Sequence, residues 1–212
     1  MKKKILVACL CVALAVLTIA GTTLAYLTSQ DEVTNTFTVG NVQIKLDEAK
    51  ANPDGSLVAN ADRVKANSYK LIPGHTYNKD PMVTVLKGSE SSYIKMTVTF
   101  YKAAELDAIF APTGADMTSI FNGYDSTNWI YKGNTEDTEA NTRTYEFWYK
   151  ETVAAPDADV ALDALFDQIK VPGTITGEQL ETIEGMTITV NAYAIQADGF
   201  ANAEAAWAAD IA

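Results

Sequence analysis

Two stretches of this chain keep a strict two-residue alternation, and no other feature limits its possible folds so tightly. Residues 92–101 place Ile94, Met96, Val98 and Phe100 on one side, with Lys95, Thr97 and Thr99 on the other. Residues 186–195 set Met186, Ile188, Val190, Ala192 and Ala194 against Thr187, Thr189, Asn191 and Tyr193. Successive side chains of a strand point to opposite faces, so each run is a strand with one face on a core and one in water. Two such rows, far apart in sequence, are buried economically when antiparallel sheets close over one another.

The other segments fit that frame. Thr36-Phe37-Thr38-Val39 and Val42-Gln43-Ile44-Lys45-Leu46 alternate too, with Gly40-Asn41 between them as a bulge or turn. Residues 47–70 form a polar excursion containing the turn signal Asn52-Pro53-Asp54-Gly55. Residues 82–87 are expected to pair with 92–101 as a hairpin through Gly88-Ser89-Glu90-Ser91. Residues 103–110 break the period and space Leu106, Ile109 and Phe110 for one helical face, which predicts a short helix over a sheet end.

A short strand is expected around Trp129-Ile130-Tyr131, between Asn122-Gly123 and Lys132-Gly133-Asn134. Residues 142–152 carry Tyr145, Phe147 and Tyr149 on one side and Glu146, Trp148 and Lys150 on the other, so both faces of that strand are candidates for cover. Beyond Pro156, Leu162, Leu165, Phe166 and Ile169 have helical spacing, while 166–171 reads equally as a strand ended by Pro172-Gly173. Thr176-Gly177-Glu178-Gln179 is a capping box, and Phe200, Ala203, Trp207 and Ile211 form a helical stripe. About seven short strands, few helices and no repeat predict an all-β fold. The expected architecture is an antiparallel two-sheet β-sandwich, jelly-roll-like, with a few short peripheral helices.

Such a sandwich needs a core large enough to hold it, and cysteine placement decides what else can help. Both cysteines, Cys9 and Cys11, fall in the first 25 residues, where Lys2, Lys3 and Lys4 precede an apolar run from Ile5 to Ala20 and a Thr23-Leu24-Ala25 end. A basic start, an apolar centre and small residues before the cut are the pattern of a secretory signal peptide, with cleavage expected between Ala25 and Tyr26. Leu6-Val7-Ala8-Cys9 also resembles a lipoprotein box, but a cut there strands most of the apolar run downstream. An uncleaved anchor is the other alternative, since the run extended to Ala25 approaches the ~20 residues of a membrane helix.

Removing those 25 of 212 residues takes away three of the 16 basic residues and none of the 27 acids, so the formal charge moves from −11 to −14. Thiol chemistry and disulfides leave with the cysteines. A chain of the remaining length buries roughly 70% of its unfolded surface, enough for a self-sufficient core. Its acidity excludes the basic footprint of a nucleic-acid binder, and no stable membrane insertion is expected after cleavage. Residues 26–36 are read as a mobile N-terminal segment and 37–212 as one domain.

Catalytic constellations are scarce. The single histidine, His75, sits in the loop Pro73-Gly74-His75-Thr76, and there is no His-Glu-x-x-His helix, no Gly-x-Ser-x-Gly elbow and no glycine-rich phosphate loop. Glu136-Asp137-Thr138-Glu139 and Asp157-Ala158-Asp159 lack EF-hand spacing and read as solvated loops. Trp129, Trp148 and Trp207 suit either a core or a glycan-binding groove. No catalytic residue, cofactor or metal ligand is therefore assigned. What remains is an interaction surface: a free strand-like end beginning Tyr26-Leu27, with Val33, Phe37 and Val39 along it, beside a sandwich with open edges, is what strand addition between subunits requires.

Several blocks resemble one family. Ala25-Tyr26-Leu27-Thr28, Thr34-Asn35-Thr36-Phe37-Thr38-Val39-Gly40-Asn41-Val42, Lys79-Asp80-Pro81, Ser89-Glu90-Ser91-Ser92-Tyr93, Lys170-Val171-Pro172-Gly173 and Ala192-Tyr193-Ala194-Ile195-Gln196-Ala197-Asp198-Gly199-Phe200 are similar to the TasA/camelysin family of exported Gram-positive proteins. The blocks span nearly the whole chain. The resemblance implies a jelly-roll sandwich processed by a SipW-type signal peptidase and secreted into a biofilm matrix or held at the cell surface. It also implies assembly into fibres with itself or sister proteins. Camelysin-type members are classed as surface metalloendopeptidases, which keeps a His75-centred protease, with Asp80 nearby in sequence, as the alternative; an adhesin or glycan-binding module is the second.

Overall fold

The 92–101 alternation becomes the centre of the molecule. In the computed structural model, which describes residues 40–110 and 120–209, it lies within β4 (Ser89–Tyr101). Ile94, Met96 and Val98 are fully buried and Phe100 nearly so. On either side of β4 run β7 (Thr142–Tyr149) and β11 (Ile188–Gln196). β6 (Trp129–Asp137) continues outward from β7, and β8 (Val153–Ala155) pairs with the start of β4. The first layer is thus an antiparallel five-stranded sheet in the order β11-β4-β7-β6, with β8 beside β4.

The second layer is made of two small antiparallel sheets, β1 (Ile44–Asp47), β3 (Met82–Val85) and β9 (Val160–Ala161) in one, β2 (Thr76–Asn78), β10 (Gln168–Lys170) and β5 (Phe121–Asn122) in the other. Both come from one long pairing of residues 76–85 with 160–170. Between the sheets, amides of Lys79, Leu162 and Leu165 donate to carbonyls of Asp167, Val83 and Pro81. Pro81, with no N–H to donate, lies where the ladder breaks.

The layers meet in an aromatic core. Phe121 packs against Phe100 at 5.6 Å, Tyr145 at 5.6 Å, Phe147 at 6.1 Å and Phe166 at 4.5 Å, centroid to centroid. At these separations tilted and edge-on rings add about 0.5–1.5 kcal/mol per pair beyond their burial. Among the described residues three short helices lie at the periphery: α1 (Ala103–Phe110), α2 (Gly177–Thr182) and α3 (Ala203–Ala209). The Arg143 guanidinium fastens α1 to β7 by paired bonds to Asp107. The fold is an all-β antiparallel sandwich, and the described residues form one compact unit.

Three expectations need correction. Residues 82–87 and 92–101 are not a hairpin: β3 and β4 belong to different layers, and the chain crosses between them at Leu86–Gly88. Ser89 starts the strand instead of ending a turn because its buried hydroxyl ties it to the Gln43 backbone across the layers. The strand near Trp129 runs on through Lys132-Gly133-Asn134 to Asp137, absorbing Gly133 (φ 129°) as a bulge. Of the two readings open for 156–171 the strand holds, β10 lying within 166–171, and the apolar side chains enter the core from two short strands and the loop between. Strand 142–152 stops at Tyr149, with a break before β8.

Candidate assembly edge

β11 is the end strand of the five-stranded sheet. Among the described residues it pairs with β4 on one side only, in unbroken register from Ile188↔Phe100 to Gln196↔Ser92. Its nine residues, ITVNAYAIQ, include no charge and no proline. Monomeric proteins usually blunt such an edge with lysine, proline or a bulge. The inward residues Ile188, Val190, Ala192 and Ala194 are only partly buried, whereas the equivalent row of β4 is fully covered. The pattern correctly predicted a strand and its inward face; it could not show that the strand stands at the rim.

At the start of β11 the core opens into a cleft of ≈ 990 Å³, lined among others by Tyr69, Leu71, Leu180, Ile183, Met186 and Ile188. One wall is α2, whose capping box is complete: the Thr176 hydroxyl accepts from the Gln179 amide and the Gln179 side chain accepts from the Thr176 amide. The facing wall is the stretch 66–71, at the end of the 47–70 excursion. Side chains, not a ladder, hold that wall. Tyr69 Oη donates to the Asn78 carbonyl at 2.6 Å. Tyr77 Oη donates to the Lys70 carbonyl and accepts from the Ile72 amide.

Beneath the excursion lies an ionic network that no sequence pattern announced. Lys79 Nζ meets Glu48 Oε2 at 2.6 Å with both side chains almost wholly buried. Arg63 joins Asp47 Oδ1 at 2.5 Å and Asp80 Oδ2 at 2.8 Å, and donates to both backbone carbonyls. Burial acts to raise the Asp47 pKa, but hydrogen bonds and charge from Lys45 and Arg63 outweigh it and hold the carboxyl below its usual range. Burial, reinforced by the Glu48 charge, pushes the Tyr69 hydroxyl well up, so it stays a donor.

Ala25, Tyr26, Leu27, Val33, Phe37 and Val39, the residues assigned to cleavage and assembly, lie outside the described residues, as does the 26–36 segment. His75 is exposed in its turn. Asp80 is committed to Arg63 and to the Ala49 amide at 2.6 Å. Among the described residues no group of three or more His, Cys, Asp or Glu is placed to hold a metal. Trp129 is core, 1% exposed, with its indole donating to the Asp163 carbonyl. Trp207 is buried under α3, and Trp148 beside it is partly covered at 6.3 Å, which is the cover the two-sided aromatic strand led one to expect. No family model, no curated protein and no solved structure matches the chain.

Proposed function

We propose that the protein is a secreted structural subunit of the TasA/camelysin type, cleaved between Ala25 and Tyr26 by a SipW-type peptidase and working in an extracellular matrix or at the cell surface. Copies join by strand pairing: the N-terminal segment of one, through Tyr26, Leu27, Val33, Phe37 and Val39, adds to the sheet edge of the next. The observation that carries this reading is β11, a nine-residue uncharged edge whose inward row is half-covered and whose start opens on an apolar cleft. An incoming strand there satisfies unpaired backbone groups and completes the burial of that row.

Electron microscopy of the secreted protein at rising concentration tests it, beside a form lacking residues 26–36 and beside Ala192→Lys, which puts an inward charge on the open edge. Fibres from the parent chain and none from either variant are expected. Equal fibre formation by all three overturns the strand-pairing reading, and no assembly by the parent chain at any concentration overturns the structural role.

A further inference from the structure

The buried ion pair beneath the excursion has a third member. The Glu48 carboxylate receives Lys79 Nζ on Oε2 at 2.6 Å and Asn67 Nδ2 on Oε1 at 3.0 Å, so one acid bridges an amine and a primary amide. Both polar atoms of that amide are held: Nδ2 donates also to the Ala49 carbonyl at 2.8 Å, and Oδ1 accepts from the Ala51 amide at 2.9 Å. Three separate segments bring the groups together. Glu48 follows β1 and is fixed by paired backbone bonds with Val64. Lys79 sits at the break between β2 and β3, its amide donating to the Asp167 carbonyl. Asn67 belongs to the wall 66–71, which side chains hold in place of a ladder. Lys79 and Glu48 are 8% and 5% exposed and Asn67 is half-buried, so bulk water is largely kept from the amine and the acid.

We infer that this is a self-processing site, at which the Lys79 amine and the Asn67 side chain join in an amide cross-link with Glu48 as the catalytic acid and base. Acyl transfer needs a nucleophile, a group that carries protons and a donor placed where negative charge develops. Lys79 Nζ is the nucleophile, and Glu48 Oε2 takes its proton to free the lone pair. Attack on Asn67 Cγ pushes charge onto Oδ1, where the Ala51 amide already donates. The Cγ–Nδ2 bond then breaks as Glu48 delivers a proton to Nδ2. Of the three protons on the lysine ammonium, one stays on the new amide nitrogen and two pass through the Glu48 carboxylate to Nδ2, which departs as ammonium. The carboxylate is regenerated, and no oxidant or reductant is needed. Asn67 and Lys79 both line the cleft of ≈ 990 Å³, which gives the ammonium a way out. The ion-paired chain is the reactant and persists until the bond closes. The product ties the wall 66–71 to the segment between β2 and β3, a covalent constraint in a chain whose two cysteines both lie in the first 25 residues. It requires neither β11's free edge nor residues 26–39.

Tryptic mapping of the purified chain by mass spectrometry, sampled from purification through several days of warming, tests this. Cleavage after Lys65, Lys70, Lys79 and Lys87 releases 66–70, 71–79 and 80–87 from the unreacted chain. The cross-link blocks cleavage at Lys79, so the expected product is 66–70 joined to 71–87, lighter than the two together by the mass of ammonia, about 17 Da. Fragment ions should assign the link to Asn67 and Lys79. Glu48→Gln should slow its formation roughly a hundredfold or more, and Lys79→Arg should abolish it. Thermal melts confirm that both variants are folded, with Asn67→Ala replacing either that is not. No joined peptide after warming, a joined peptide that forms as fast in Glu48→Gln, or the same mass loss confined to 66–70 and retained in Lys79→Arg, which is ring closure of Asn67 alone, overturns the inference.

Discussion

Replacing Lys79 with methionine isolates what the buried ion pair does. The Lys79 and Glu48 side chains are 10% and 7% exposed and meet at 2.6 Å. A methionine there keeps the length and apolar stem but leaves the Glu48 carboxylate with one remaining side-chain donor, Asn67 Nδ2 at 3.0 Å. Removing one partner of a buried pair costs about 3–5 kcal/mol because the other charge is stranded, while replacing both with neutral groups is close to neutral. With a urea slope near ~2 kcal/mol per molar, K79M should lower the unfolding midpoint by roughly 2 M. The double variant E48Q/K79M keeps the Asn67 bond, carries no charge, and should return to within ~1 kcal/mol of the parent. Urea unfolding followed by tryptophan fluorescence measures both. A K79M shift below about 0.5 M, or a double variant no better than the single, refutes the claim that a stranded charge rather than lost packing sets the cost.

Three other outcomes follow from individual residues. Asp47 titrates below its ordinary 3.8 in the folded chain, so its contribution is complete above the unfolded value and is lost as pH falls through the lower folded one; Asp47→Asn should flatten the fall of melting temperature below about pH 4, and an unchanged acid limb contradicts this. Gly55 sits at φ 89° with a would-be Cβ 2.7 Å from both the Thr76 carbonyl oxygen and Tyr77 Cα, so Gly55→Ala should destabilise by at least ~1 kcal/mol in the same urea assay. Trp129→Ala removes a ring packed 5.0 Å from Tyr149 and an indole bond to the Asp163 carbonyl, and a loss of about 3–5 kcal/mol is expected, with a value under ~1.5 showing that the site collapses around the hole.

The strands were legible where burial is one-sided. Periodicity found β4, β7 and β11 and their inward residues because half the side chains of each face water. It failed where the second layer bends: residues 160–170 enter the core from both strand ends and the loop between, so Leu162, Leu165 and Phe166 share a helical spacing without a helix. The 82–101 region misled for another reason. Two alternating runs joined by Gly88-Ser89-Glu90-Ser91 satisfy every local rule of a hairpin, and the crossing to the other layer is held by bonds to Asn41 and Gln43, more than 40 positions away, from the Leu86 and Glu90 amides and the Ser89 hydroxyl. The ionic network under the excursion escaped for the same cause, since Glu48 and Lys79 are 31 residues apart and neither spacing nor composition pairs them.

The two rims of the large sheet differ in a way that gives the proposed strand pairing a direction. β6, at the far rim, has a bulge between Tyr131 and Gly133 and carries Lys132, Glu136 and Asp137, each a device that discourages a further strand. β11 carries none of them over nine residues of unbroken register. On the large sheet an added strand therefore meets fewest obstacles at β11, and under the strand pairing proposed above a subunit that offers one segment and accepts at one edge makes a head-to-tail contact, which propagates as a filament unless its rotation closes a ring. Moving the devices tests that asymmetry directly. Replacing Asn191 on β11 with lysine imports the protection of β6, while replacing Lys132 with threonine strips one from the far rim. If the open edge sets growth, Asn191→Lys should slow fibre elongation several-fold by thioflavin or light-scattering kinetics and Lys132→Thr should leave it unchanged. Equal effects from both place the contact somewhere other than β11.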